Sequence, residues 1–381
     1  MAANTDTLPQ DDSPDSGYGR FSTGILPSHV LNRLVAGGRE ITAAVPLAGG
    51  QIQPASIDLR LGPTAFRVRA SFLPGPGASV ADKLAHVVMH EIDLTEGAVL
   101  EAGCVYIVPL LERAAFSARI SGTANPKSST GRIDVFTRLI TDQAVAFDRV
   151  AAGYQGPLYA EICPQTFPVL VRMGSRLNQL RLRHGSPQFS DSALRRLHET
   201  SPLVDQEPNI DGGLALSIDL LGGADRNGRI GFRAKKHTGL IDVDRPGALD
   251  PADFWEPISA NARGDMVLDP NEFYILVSRE KVAIPPDHAA EMVPFNPLVG
   301  EFRVHYAGFF DPGFGYAPGQ PPAARGVLEV RSREAPFILE HGQIVGRLVF
   351  ERLTDPPPEG YGAGLGSSYQ GQGLKLSKHF R

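Results

Sequence analysis

Two groups of residues in this chain have types and spacing suited to joint chemistry. Lys127, Ser128, Ser129, Thr130, Gly131 and Arg132 form one short turn, bringing two cations, three hydroxyls and closely spaced backbone N–H groups together. Cations, hydroxyls and amides converging in a turn are what an anionic phosphate needs in order to leave water. Downstream, residues 157–162 alternate in strand fashion and carry a single acid, Glu161. A carboxylate held beside a cation and a hydroxyl can act as general base toward a water molecule.

The S-S-x-G-R turn, the G-Y-x-G turn at residues 153–156 and the strand glutamate after it together resemble the core of the dCTP deaminase branch of the dUTPase superfamily. QPASIDLRLG at residues 53–62 and HEIDLTEGAVLEAGCVYIVP at residues 90–109 resemble the family's earlier signatures, in the same order along the chain. The resemblance covers most of residues 24–183. It implies a mainly β fold of distorted antiparallel barrel type, and threefold or pseudo-threefold homo-oligomers with sites between neighbours. It also implies hydrolytic deamination of dCTP to dUTP and ammonia, in the supply of deoxyuridine nucleotides for dUMP and dTTP. On that basis Glu161 is the base, Ser128 and Arg132 position water and polarise the site, and Lys127 and Ser129 contact the phosphates. Mg²⁺ would accompany the triphosphate without doing the chemistry.

Zinc deaminases pair His-x-Glu with Pro-Cys-x-x-Cys. Here Cys104 and Cys163 belong to no C-x-x-C, and His90 is directly followed by Glu91, so a zinc-free mechanism is expected. Where the family pattern has a Thr-Ala-His-like step, this half has Ile140-Thr141-Asp142. Thr141 and Asp148 are expected to line the substrate. A dUTPase would use an acid near the place of Asp148 to activate water, so pyrophosphate hydrolysis to dUMP, alone or coupled to deamination, is the alternative. A catalytically silent nucleotide-binding regulator is the reading from another class.

These residues need a rigid scaffold, and composition describes one. With 41 glycines and 32 prolines in 381 residues, the chain favours short strands and tight turns over long helices. A formal charge of −5 gives no general attraction to nucleic acid or acidic membranes, so any polyphosphate site must be a local concentration of cations. No stretch reaches the roughly 20 apolar residues of a membrane span. The polar, acidic N-terminus lacks the parts of a signal peptide. Both cysteines sit in apolar, strand-like runs and are expected to be buried free thiols, which suits a cytoplasmic location.

Residues 1–20 read as a disordered leader. A short helix is expected within residues 25–35, capped by Ser28, and a second over residues 190–203. The pattern then restarts. Asp58 has a counterpart in Asp219 and Glu161 in Glu329, at offsets of 161 and 168 residues. MVLDPNEFYILVSREKVAIP at residues 266–285 resembles the run ending at Pro109, and HGQIVGRLVFERL at residues 341–353 matches MGSRLNQLRLRHG at residues 173–185. This implies tandem units over residues 21–187 and 188–381, with a proline-rich insertion at residues 316–325. The second unit has P-F-N-P-L in place of the phosphate turn, but keeps Glu329 and an H-Y-A-G-F-F-D-P-G segment resembling the family's sugar- and base-lining stretch. Glu161 is preferred over Glu329 as base because its half is otherwise complete. By resemblance the C-terminal segment covers the nucleotide through Tyr369 and Gln372. Asp58 and Asp219, each in an S-I-D-L run, are expected to be structural.

Overall fold

The structure, a computed structural model, describes residues 18–223, 226–294, 302–305, 308–332, 335–358, 360 and 373–381. The chain is mainly β, as the glycine and proline content and the period-two runs require. In the first half, Val135–Thr141, Gln155–Pro164, Val105–Ala115, Thr64–Val68 and Val88–Asp93 are neighbours in that order, with Glu40–Ala43 added on Val105–Ala115. A second sheet places Ile120–Pro126, Arg176–His184 and Ser56–Arg60 side by side.

The second half repeats this order. Phe302–His305, Ala324–Ser332, Phe273–Val282, Arg229–Ala234 and Trp255–Ser259 form one sheet, and His288–Pro294, Ile344–Arg352 and Leu214–Ser217 form another. Glu161 and Glu329 occupy corresponding strands and face corresponding neighbours, Ile107 and Ile275. The pattern of duplicated residues thus has a counterpart in strand pairing.

Local differences from the expectations have local causes. Ser28 begins the helix Ser28–Ala36 instead of capping it, because the chain enters through Pro27 and the Ser28 N–H is taken by the Pro54 carbonyl. The later helix is Asp191–Thr200, capped by the Ser190 hydroxyl. It stops short of Leu203 because Ser201 precedes a proline and is driven to extended backbone. An unexpected helix, Val80–Val87, starts with a reciprocal Ser79–Asp82 capping box. Cys163 is buried, but Cys104 precedes its strand and is only half-buried. Residues 1–17 of the expected leader lie outside the described residues, but its last residues are held on the fold: the Tyr18 hydroxyl donates to Glu40 Oε1 at 2.8 Å and its ring stacks on His184.

The halves are joined by buried arginines. Arg181, fully buried, donates to the Ala290 carbonyl and to Asp311 Oδ1, both at 3.1 Å, and stacks 3.9 Å from the centroid of the Phe309 ring. Arg183 bonds Glu291 Oε2 at 3.0 Å and Glu351 Oε2 at 2.7 Å. Val169–Val171 of the first half pairs in parallel with Ile241–Asp242 of the second. The end of the chain is pinned by apolar packing: Phe380 meets Phe254 and Trp255 edge-on, with ring centroids 5.4 and 5.9 Å away, and Trp255 also packs on Phe167 of the first half.

Phe380→Ala should therefore cost about 3 kcal/mol in urea unfolding, as other buried aromatic truncations do. It should also red-shift emission from Trp255, the single tryptophan. An unchanged midpoint and spectrum would contradict this docking of the tail.

Candidate active site

The Lys127–Arg132 turn follows the strand Ile120–Pro126, which delivers it to the contact between the halves. Ser128–Gly131 makes one helical turn in which Thr130 and Gly131 donate to the Lys127 carbonyl and Arg132 to that of Ser128. Those three N–H groups are therefore already engaged, leaving the N–H groups of Ser128 and Ser129 at the start of the turn, with the hydroxyls and cations, as its remaining anion-binding chemistry. Lys127 Nζ lies 2.6 Å from Asp58 Oδ1. Asp58 thus steadies the lysine expected at phosphate, in keeping with its structural assignment. Asp219, two residues past the strand Leu214–Ser217, accepts from the Leu221 N–H at 3.0 Å and from Arg325 Nη1 at 3.3 Å and also pairs with Arg226.

Arg132 is buried and points across to the second half. Its Nε lies 3.7 Å from Glu329 Oε1, and its Nη1 donates to the Lys375 carbonyl at 3.2 Å. Glu329 is buried on Ala324–Ser332, and burial pushes its carboxyl up to about 8 even though Arg132 pulls the other way. A carboxyl that ionises near neutrality beside a guanidinium is suited to taking a proton from water.

Glu161, expected beside Arg132, has another partner. Arg138 stands directly opposite it in the sheet and donates through Nε at 2.9 Å. The Arg138 guanidinium is itself stacked 3.4 Å from the centroid of the Phe147 ring. Glu161 is buried, and its Oε2 has no hydrogen bond among the described residues. Asp148 lies in the same cluster, with Oδ1 accepting the Leu139 N–H at 2.7 Å. Burial, with Glu161 and Glu291 nearby, pushes its carboxyl up to about 7. Thr141 closes the same strand pair opposite Leu158. The structure therefore gathers Arg138, Asp148 and Glu161 at one place, and Lys127, Ser128, Ser129, Arg132 and Glu329 at another. In the second half, the position opposite Glu329 is His305.

The end of the tail reaches the turn. Ser377 Oγ donates to the Ser129 carbonyl at 2.8 Å, and His379 approaches Ser377 Oγ and the Val243 carbonyl, each at 2.9 Å. Burial, with Lys127 close by, holds the Lys378 ammonium below the usual lysine range. Tyr369 and Gln372 lie outside the described residues, as does most of the second-half segment replacing the phosphate turn. Sequence reasoning missed Arg138, Lys375 and Ser377. Strand register would have pointed to Arg138, but no motif marks the other two. Among the described residues no three His, Cys, Asp or Glu side chains gather as a metal set, and no helix is long and apolar enough to cross a membrane.

Comparison with known proteins bears on the family. Residues 22–186 match the 2′-deoxycytidine 5′-triphosphate deaminase (DCD) N-terminal domain, and residues 190–380 match the C-terminal domain of the same family. The crystal structure of 2′-deoxycytidine 5′-triphosphate deaminase from Agrobacterium tumefaciens is 58% identical, with a TM-score of 0.84, over 88% of this chain and 100% of that one. The dCTP deaminase of Haloarcula marismortui is 31% identical over 192 residues, 49% of this chain and 90% of the relative. A dUMP-forming dCTP deaminase of Beutenbergia cavernae is 30% identical over 151 residues, 38% of this chain and 74% of the relative. The chain belongs to the 2′-deoxycytidine 5′-triphosphate deaminase family.

Proposed function

We propose that this enzyme hydrolyses the 4-amino group of dCTP, taken as its Mg²⁺ complex, at a zinc-independent site shared by its two halves, with Glu329 as general base. The carrying observation is the buried approach of Arg132 to Glu329. Glu329 would remove a proton from water as that water attacks C4 and the C4–N3 double-bond pair moves to N3, which gains a proton; the proton held by Glu329 would then pass to the 4-amino nitrogen, so that the C4–N bond breaks, ammonia leaves and the new oxygen becomes the ring carbonyl. Arg132 and Ser128 would orient the water and offset the charge that develops, and Lys127 and Ser129 would face the phosphates. Glu161 is already engaged by Arg138, so on this reading it is structural.

The repeated strand order supports reading residues 21–187 and 188–381 as tandem dUTPase-like barrels. Because Arg132 and Glu329 belong to one chain, the pair needs no second copy; threefold or pseudo-threefold assembly is a separate proposal, tested by light scattering against the 40.9 kDa chain. A cytoplasmic role in supplying dUMP for dTTP accompanies this reading. Coupled release of pyrophosphate is the second reading, favoured by the relative named as dUMP-forming. Chromatography after incubation with dCTP separates them: dUTP and ammonia indicate deamination alone, dUMP the coupled reaction, and binding without turnover a silent protein.

Glu329→Gln should lower turnover by the ~10²- to 10⁴-fold typical of a lost general base and leave nucleotide binding nearly intact. Glu161→Gln should cost far less turnover. Loss confined to Glu161→Gln would return the role to the first-half acid.

The pH profile gives a second check. The folded protein holds the Glu329 proton to about pH 8, whereas an unfolded glutamate releases it near 4.5. The stability this group contributes is therefore present below pH 4.5 and lost as pH rises through that window. Over the same window kcat/KM should climb, with an acid limb centred near 8 in the free enzyme. The same limb persisting in Glu329→Gln would contradict the assignment.

A further inference from the structure

Two residues beyond each member of the Arg132–Glu329 pair stands a second pair with its charges exchanged. Asp134 follows Arg132 in the first half, and Arg331 follows Glu329 on Ala324–Ser332. Residues two apart on a strand share a face, so Glu329 and Arg331 present a minus and a plus charge to a segment that presents a plus and a minus. Arg331 Nη2 bonds Asp134 Oδ2 and also donates to Thr166 Oγ1 at 2.8 Å, while its Nη1 donates to the Asn271 carbonyl at 2.7 Å. The Thr166 hydroxyl donates in turn to Asp134. Asp134 is buried and held at a φ of 55°, a conformation costly for a non-glycine residue unless its surroundings enforce it.

We infer that Asp134 and Arg331, bridged by Thr166, are positioning residues that keep Glu329 facing Arg132 and available as a base. This rests on the shared-site reading. Arg331 is a cation on the same strand face as Glu329, and Asp134 is what holds it away. The first half shows the alternative: there Arg138, on the strand opposite, takes Glu161 directly. Around Glu329, the turn contributes Arg132, the Phe273–Val282 strand contributes apolar Ile275, the Phe302–His305 strand has His305 opposite, and the tail arrives as the Lys375 carbonyl on Arg132. With Asp134 neutralised, Arg331 swings to Glu329 and stabilises its ionised form. The carboxylate then becomes a weaker base, tied down as Glu161 is.

The test is the full chain with dCTP, measuring kcat, KM and the pH profile alongside thermal melts. Asp134→Asn should lower kcat about tenfold, change KM less than threefold and move the acid limb down by about one pH unit. Asp134→Asn with Arg331→Met removes the stray cation as well, and should return the limb to its wild-type position. Thr166→Val is the milder probe should the others fail to fold, and should shift the limb the same way by about half as much. A merely structural pair would lower the melting temperature and leave the limb in place, with the double variant no better than the single; that result overturns the inference. Glu329→Gln separates the two levels. If it keeps turnover, the shared-site reading falls; if it is inactive while the Asp134→Asn profile is unchanged, only the positioning role falls.

Discussion

Arg132 is the residue on which three parts of the chain converge. Its backbone belongs to the first-half turn, its Nε faces Glu329 of the second half, and its Nη1 holds the carbonyl of Lys375 in the C-terminal tail. Removing a guanidinium and a carboxylate from water costs several kcal/mol per ion, so the approach persists only where the surroundings fix both groups. The Arg181–Asp311 and Arg183–Glu351 bonds supply that rigidity by locking the two halves face to face. The same logic explains why a buried pair is a poor source of net stability and a sensitive one: losing one partner typically costs ~3–5 kcal/mol because the other charge is left uncompensated. Here burial outweighs the pull of Arg132 and raises the Glu329 carboxyl to about 8.

The halves share a strand order and differ in the side chains set on it. Both retain a strand acid in the same register, but the cross-strand neighbour is Arg138 in one and His305 in the other. Arginine remains charged at all relevant pH values and offers a planar fork to a carboxylate, so the acid opposite it is captured. The acid opposite His305 meets Arg132 instead, the cation that arrives from the phosphate turn of the other half. The two glutamates thus share a register and differ in the cation that meets each one: Arg138 for Glu161 and Arg132 for Glu329.

Much of this was legible in the sequence, for identifiable reasons. Strand content follows from local rules of spacing and turn composition, and the repeated strand order from similarity between segments of one chain; neither needs tertiary information. The turn at residues 127–132 was visible because its chemistry is contiguous. The acid that faces it was harder to choose, because Glu161 and Glu329 look alike along the chain and differ only in what lies across the sheet. Helix Val80–Val87 was overlooked although its Ser79–Asp82 box was present, a short local signal hidden between strands. Lys375 and Ser377 acquire meaning only once the tail has docked, since one acts through its carbonyl and the other through a hydroxyl on a distant carbonyl. Side-chain identity carries little record of such roles.

A site shared by Arg132 and Glu329 requires one nucleotide to span both halves. The most direct measurement is a crystal structure of the Glu329→Gln variant soaked with dCTP and Mg²⁺. The expected density has the triphosphate at the Lys127–Arg132 turn and C4 of the cytosine ring at the position 329 side chain, with Arg138 still bonded to Glu161. A ring seated instead against Glu161, with Arg138 displaced from it, would rule out a site built on Glu329.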